Sequence, residues 1–358
     1  MAENFTCDLV DDGGGLVGNT CLDLDPAGVP QIAYIAQRPV GTIMLARREP
    51  TGWTVTDTGA VSPTEWNRVP FGVDSLGNAH IAYRDPATGH LGYSVRSAEG
   101  WNREYVPTSG GLFPQSVADI SMRLHPGKHD PSLRDTPHIA FRDTYSTHAL
   151  CYATKVDGTW RGHVTVVDDL PIRTTGLHNS LAFSSGEGLR IAYFDELETS
   201  EDLGRRQLKL AERFDGEWTH GVIDDAGRAG QHACLAGRGD GDICVVYGDG
   251  DSAELKAWLR PFASPVVREV VATGLPSHVS PSAELNWRSE LYVAYGDGQL
   301  RLASRALHGD AAGTWRTRTV DAEGGAWPSL VCEKDNIHLA YLKNGRLWYA
   351  LGVRDDTP

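Results

Sequence analysis

Apolar residues recur along the chain in short runs broken by Gly- and Asp-rich turns, and one run repeats. An apolar triplet ending in an aromatic residue occurs as Ile32-Ala33-Tyr34, Ile81-Ala82-Tyr83, Ile139-Ala140-Phe141, Ile191-Ala192-Tyr193, Val245-Val246-Tyr247, Val293-Ala294-Tyr295 and Leu339-Ala340-Tyr341. The aromatic positions lie 49, 58, 52, 54, 48 and 46 residues apart, about the length of one four-stranded blade. Seven copies predict seven blades.

Each triplet has the same surroundings. A short apolar run such as Ser180-Leu181-Ala182-Phe183 precedes it across a turn and reads as an innermost strand. A third strand follows, as in Leu150-Cys151-Tyr152-Ala153 or Leu347-Trp348-Tyr349-Ala350, and then a turn and a fourth strand opening on tryptophan at Trp53, Trp101, Trp160, Trp218 and Trp315. Those tryptophans are expected to pack blade against blade. The last repeat has no tryptophan-led outer strand of its own. The N-terminal run Phe5 to Asp11 ends like the other outer strands (Val167-Asp168, Ile223-Asp224, Val320-Asp321), so it is expected to complete the last blade and close the ring. The prediction is an all-β, seven-bladed β-propeller spanning 1-358 as one domain.

Composition narrows the function. With 41% hydrophobic and 22% charged residues the chain reads as globular, and a formal charge of -14 argues against nucleic acid as a partner. No apolar run is long enough to span a membrane, and no signal peptide is visible at the N-terminus, so a cytoplasmic protein without membrane association is expected. The six cysteines lack a C-x-x-C spacing and read as small buried residues. No phosphate-binding glycine loop, G-x-S-x-G or H-E-x-x-H occurs, so no nucleotide cofactor is expected.

In a propeller, ligand groups are sought near the axis, on the face carrying the fourth-to-first and second-to-third strand connections. Three consecutive blades place a histidine at the start of the inner strand: His178, His232 and His278. Such imidazoles can ligate one divalent transition metal (Zn, Mn, Fe or Cu), serve as metal-free acid and base, or be unrelated loop residues. Blades one to three instead bring Arg38, Arg68, Arg84 and Arg142 to that face, and arginine suits carboxylate or phosphate. Trp66, Trp327 and Tyr145 offer stacking surface, and Asn179 adjoins His178. Asp85, Asp143, Asp195, Asp249 and Asp297, each two residues past a triplet, read better as turn-forming aspartates than as a carboxylate ring.

The turns Asp157-Gly158-Thr159-Trp160 and Asp215-Gly216-Glu217-Trp218 resemble those of degenerate Asp-box or BNR-type propellers, although the full S-x-D-x-G-x-x-W motif is incomplete. The run Leu177-His178-Asn179-Ser180-Leu181-Ala182 resembles the inner-strand start of seven-bladed propeller polysaccharide lyases. That resemblance implies β-elimination, with His178 as the base and Arg84 or Arg142 facing a uronate carboxylate. A missing export signal points instead to a small intracellular substrate, as in biosynthesis. The expectation is thus an enzyme of the lyase, cyclase or metal-dependent hydrolase kind, with an axial, His-lined pocket for an anionic small molecule or oligosaccharide. The rivals are a lectin, with several equivalent sites, and a protein-interaction scaffold.

Overall fold

Seven antiparallel sheets stand in a ring, six of them four-stranded and the third with its outer edge formed by two short strands, Thr159–Trp160 and Thr165–Asp168. The computed structural model describes residues 5–13, 15–36, 41–61, 69–107, 116–145, 148–160, 165–168, 173–184, 188–197, 206–238, 241–276, 278–309 and 312–354. The innermost strands are Leu16–Leu24, Phe71–Val73, Val117–Leu124, Arg173–Phe183, Ala229–Gly237, Ser282–Leu285 and Ala326–Glu333. The triplets form the second strands and are buried on both faces, which is why they read as unbroken apolar runs rather than as alternation. No helix is long and apolar enough to cross a membrane among the described residues.

The ring closes as the sequence predicts. Phe5–Asp11 pairs antiparallel with Arg346–Val353 and becomes the outer strand of the seventh blade. Its last residue joins a latch that recurs around the ring. The Tyr34 hydroxyl donates to Asp11 Oδ2 at 2.6 Å, as Tyr193 does to Asp168 (2.7 Å), Tyr247 to Asp224 (2.6 Å) and Tyr341 to Asp321 (2.7 Å). Each of these four buried tyrosines thus satisfies its hydroxyl on the outer strand of the blade before it.

The tryptophans join blades too. Trp53, Trp160 and Trp218 meet Tyr349, Tyr93 and Tyr152 of the preceding blades edge-on, with centroids 5.2, 5.2 and 5.4 Å apart. Near the axis, small side chains take the same part. Backbone N–H groups of Leu22, Leu235 and Leu330 donate to Ser329, Ser180 and Ser282 of the preceding blade at 2.8, 3.0 and 3.0 Å. The N–H of Ala283 donates to Cys234 Sγ at 3.2 Å. Cys234 is therefore more than a small apolar filler: its sulfur accepts across a blade junction.

The turn reading of the post-triplet aspartates holds at four positions. Asp85, Asp143, Asp249 and Asp297 each accept the N–H two residues on, at 2.8, 2.9, 3.0 and 3.1 Å. Asp195 differs: it is fully buried and pairs with Lys209 Nζ at 2.8 Å.

Candidate functional site

Around the axis, one position of each inner strand forms an upper ring. Aligning the strands by their pairing places there Asn19, Asp119, His178, His232, Ser280 and Trp327, with Arg68 of the second blade outside the described residues. Four of these residues share an unusual backbone. Asp119, His178, His232 and Trp327 have φ of +49°, +49°, +51° and +53°, the left-handed region that costs a non-glycine residue on the order of 1–3 kcal/mol. In each case the ladder shifts register at that residue, so a β-bulge turns its side chain out of the sheet alternation.

Glycine makes three of the bulges possible. Gly176, Gly230 and Gly325 stand two residues earlier with φ of +92°, +116° and +154°. A Cβ on them would lie 3.0, 2.8 and 2.6 Å from Leu150, Phe194 and Leu300 of the preceding blades. Only glycine fits both the conformation and the space. The repeated spacing Gly-x-His, Gly-x-His, Gly-x-Trp was the one sequence signal of these bulges.

The bulges bring His178 and His232 together, with ring centroids 4.4 Å apart and planes at 44°. Trp327 closes edge-on upon His232 at 5.9 Å and 73°. His232 is buried and His178 half-buried. Burial, aided by Arg142 and His278, holds the His178 imidazole below its ordinary value against the opposing pull of Asp119 and Glu196, which favours its neutral form. His278 is exposed and acts electrostatically on His178. Among the described residues no group of three or more His, Cys, Asp or Glu side chains is placed to hold a metal ion.

Asp119 is the pivot of the ring. Its Oδ1 accepts the backbone N–H of His178 at 2.9 Å, and its Oδ2 accepts Arg142 Nε at 2.9 Å. Arg142 thereby steadies the carboxylate that fixes the His178 backbone. Asn179 is held within the wall: its amide nitrogen donates to the carbonyls of Asp119 and Gly176, and its oxygen accepts from Ser121. Arg84 is half-buried, and its Nε has no hydrogen-bond partner among the described residues. Tyr145 stands 66% exposed on the Asp143 turn. Arg38 and Trp66, with Arg68, lie outside the described residues.

Below the upper ring is an axial cavity of about 270 Å³, lined by Asp119, His178, Asn179 and His232 at one level and by Asp23, Arg123 and Glu284 at another. The lower three were missed because each sits at an alternate position of a strand, where a charge looks like ordinary solvent-facing polarity.

Neither a protein-family model nor a curated protein sequence matches the chain. Solved structures do. The polysaccharide lyase Uly1 superposes with a TM-score of 0.63 at 10% identity, over 95% of this chain and 90% of the other. The BP39L lectin from Burkholderia pseudomallei gives 0.63 at 13%, over 98% and 96%. A streptogramin B lyase gives 0.55 at 12%, over 97% and 97%. At such identities the likeness establishes the propeller architecture, while chemistry has to be argued from the site.

Proposed function

We propose that the chain is a lyase-type enzyme acting on an anionic small molecule or oligosaccharide at the axial mouth. The observation that carries the reading is the pair of imidazoles, His178 and His232, held in left-handed bulges with their tilted rings 4.4 Å apart at the cavity. Strain kept at repeat-equivalent positions, and spent on aiming side chains at one volume, is the mark of a functional site. Two of the structural neighbours, the polysaccharide lyase and the streptogramin B lyase, are lyases by name.

In a β-elimination, neutral His178 takes the proton from the carbon next to a carboxylate. That bond's electrons form the C=C bond as the β C–O bond breaks, and His232 is the group placed to return a proton to the departing oxygen. Arg84, with an unused Nε, is the candidate for the substrate carboxylate. Arg142 acts one step back, through Asp119. The paired imidazoles support proton transfer better than a three-histidine metal centre, because among the described residues no three His, Cys, Asp or Glu side chains are grouped to hold an ion.

The test is to incubate the protein with uronate-containing oligosaccharides and follow the ultraviolet absorbance of the new conjugated double bond. Activity that disappears in His178→Ala and His232→Ala, each folded like the parent, is the expected result. Full turnover in both variants would remove the reading, and turnover rising only on addition of Zn, Mn, Fe or Cu would restore the metal version.

A lectin reading has one observation in its favour, a groove of about 320 Å³ between the first two blades, lined by Tyr83, Asp85, Arg103 and Tyr105. Saccharide binding that survives both histidine substitutions but fails in Tyr105→Ala would assign it there.

A further inference from the structure

The lower ring of the axial cavity is not used by the chemistry proposed above. Asp23, Arg123 and Glu284 each lie four residues beyond an upper-ring position (Asn19, Asp119 and Ser280) on the same inner strands. At the usual rise per residue that is about 13 Å deeper, too far to serve the same bond. Gly72 of the second blade lines the same cavity without a side chain to fill it; a Cβ there would lie tight against Leu124 at 3.3 Å and in ordinary contact with Asp23 at 3.7 Å.

These three groups have spare hydrogen-bonding capacity. Glu284 makes no hydrogen bond among the described residues. Among the described residues the Arg123 guanidinium donates to the Met122 carbonyl, at 3.2 Å, and forms no ion pair. Asp23 accepts the N–H groups of Val73 and Leu24, both at 2.8 Å. Burial pushes the Glu284 carboxyl up to about 7, with Arg123 opposing and Asp23 adding to the rise. Burial also raises Asp23, against its two N–H donors and Arg123. The other titratable group beside Glu284 is the Cys332 thiol of the seventh blade, kept well up by burial.

We propose that the lower ring is a subsite for neutral hydroxyl groups, so that the ligand is an extended polyol of oligosaccharide length whose inner end carries no charge. Two carboxylates would repel an anionic end, and Arg123 would repel an ammonium. Hydroxyls suit all three groups, donating to Asp23 and Glu284 while accepting from Arg123. Apolar wall residues, among them Phe71, Leu181 and Leu330, offer surface for the C–H faces of a sugar ring. The inference extends the carbohydrate branch of the proposed function but rests on different residues.

Calorimetric titration with two probes, a neutral hexose disaccharide and a free hexuronate, separates the two ideas. The disaccharide is expected to bind the parent protein and to lose at least about tenfold in affinity in both Arg123→Met and Glu284→Gln. Hexuronate binding should be unchanged in those variants and lost in His232→Ala. In the parent, disaccharide affinity should rise from pH 6 to pH 8 as Glu284 ionises, and Glu284→Gln should abolish that rise. No disaccharide binding at millimolar concentration, or equal binding by parent and both lower-ring variants, overturns the subsite. Failure of the hexuronate alone overturns the anionic mouth and leaves the subsite standing. Because Glu284→Gln keeps shape and volume, it covers the case in which Arg123→Met misfolds.

Discussion

Two sets of histidines repeat around this ring, and they are built in opposite ways. His80, His138 and His338 stand directly before their triplets, buried between blades, and their Nδ1 atoms lie 2.5, 2.6 and 2.7 Å from the hydroxyls of Tyr93, Tyr152 and Tyr349. Those tyrosines are the ones the tryptophans pack upon, so each imidazole is one layer of a blade-to-blade stack. His178 and His232 stand instead on bulges with positive φ and turn toward each other at the axis. The first set is placed by regular strand geometry and stabilises the fold. The second is placed against backbone preference, and its strain is offset by the surrounding ring.

The sharpest way to break this comparison is to exchange stability for activity. His138→Ala leaves the Tyr152 hydroxyl buried without its partner and opens a void, so urea denaturation should show a loss of about 3 kcal/mol with ligand binding at the axis intact. A stable variant would mean that the stacks are ornamental.

Next in size is an acid effect from the same residue. Burial, with His125 and Arg213 adding, lowers His138 from 6.5 to about 3. The unfolded chain therefore takes up the proton first. This contribution is complete above about pH 6.5 and drains away as the pH falls toward 3, amounting to roughly 3 kcal/mol lost by pH 4. Parent and His138→Gln should converge in stability on acidification; curves that stay parallel would contradict the assignment.

A smaller change of opposite sign is expected at the axis. His178→Gly relieves a positive φ of +49° and should raise stability by up to about 1 kcal/mol, against some loss of packing and chain entropy. The same variant should lose all turnover, a trade-off the structural histidines cannot show. A clear drop in stability would place His178 with the structural set. Smallest of all, Tyr145→Ala at its exposed turn should shift stability by less than about 0.5 kcal/mol and change ligand affinity only modestly.

The blades were readable because their signal is local and repeated. The triplets are buried on both faces, the turn aspartates need only their neighbours two residues on, and Phe5 to Asp11 resembles the other outer strands. The site was readable in part. That His178 and His232 face one volume was expected from their places at the start of successive inner strands, but their close approach depends on bulges that hydrophobic patterning does not encode. Arg142 looked like a free anion-binding group because its partner, Asp119, lies on another strand of its blade. Asp23, Arg123 and Glu284 were invisible for a related reason. In a narrow ring the alternate residues of an innermost strand face a shared interior, and sequence alone cannot distinguish that from open water.

The seventh blade also has a consequence for the order of events in the cell. Thr6 Oγ1 bonds the Leu351 carbonyl, 345 residues away along the chain. Phe5–Asp11 is thus made long before its partner Arg346–Val353, and it stays an unpaired edge until that partner is synthesised. Until Arg346–Val353 has emerged, the growing chain is an open arc, and the axis where His178 and His232 meet Trp327 lacks its final wall. A nascent chain stalled before that point should be unable to bind at the axis, so the emergence of Arg346–Val353 is the step that creates the site.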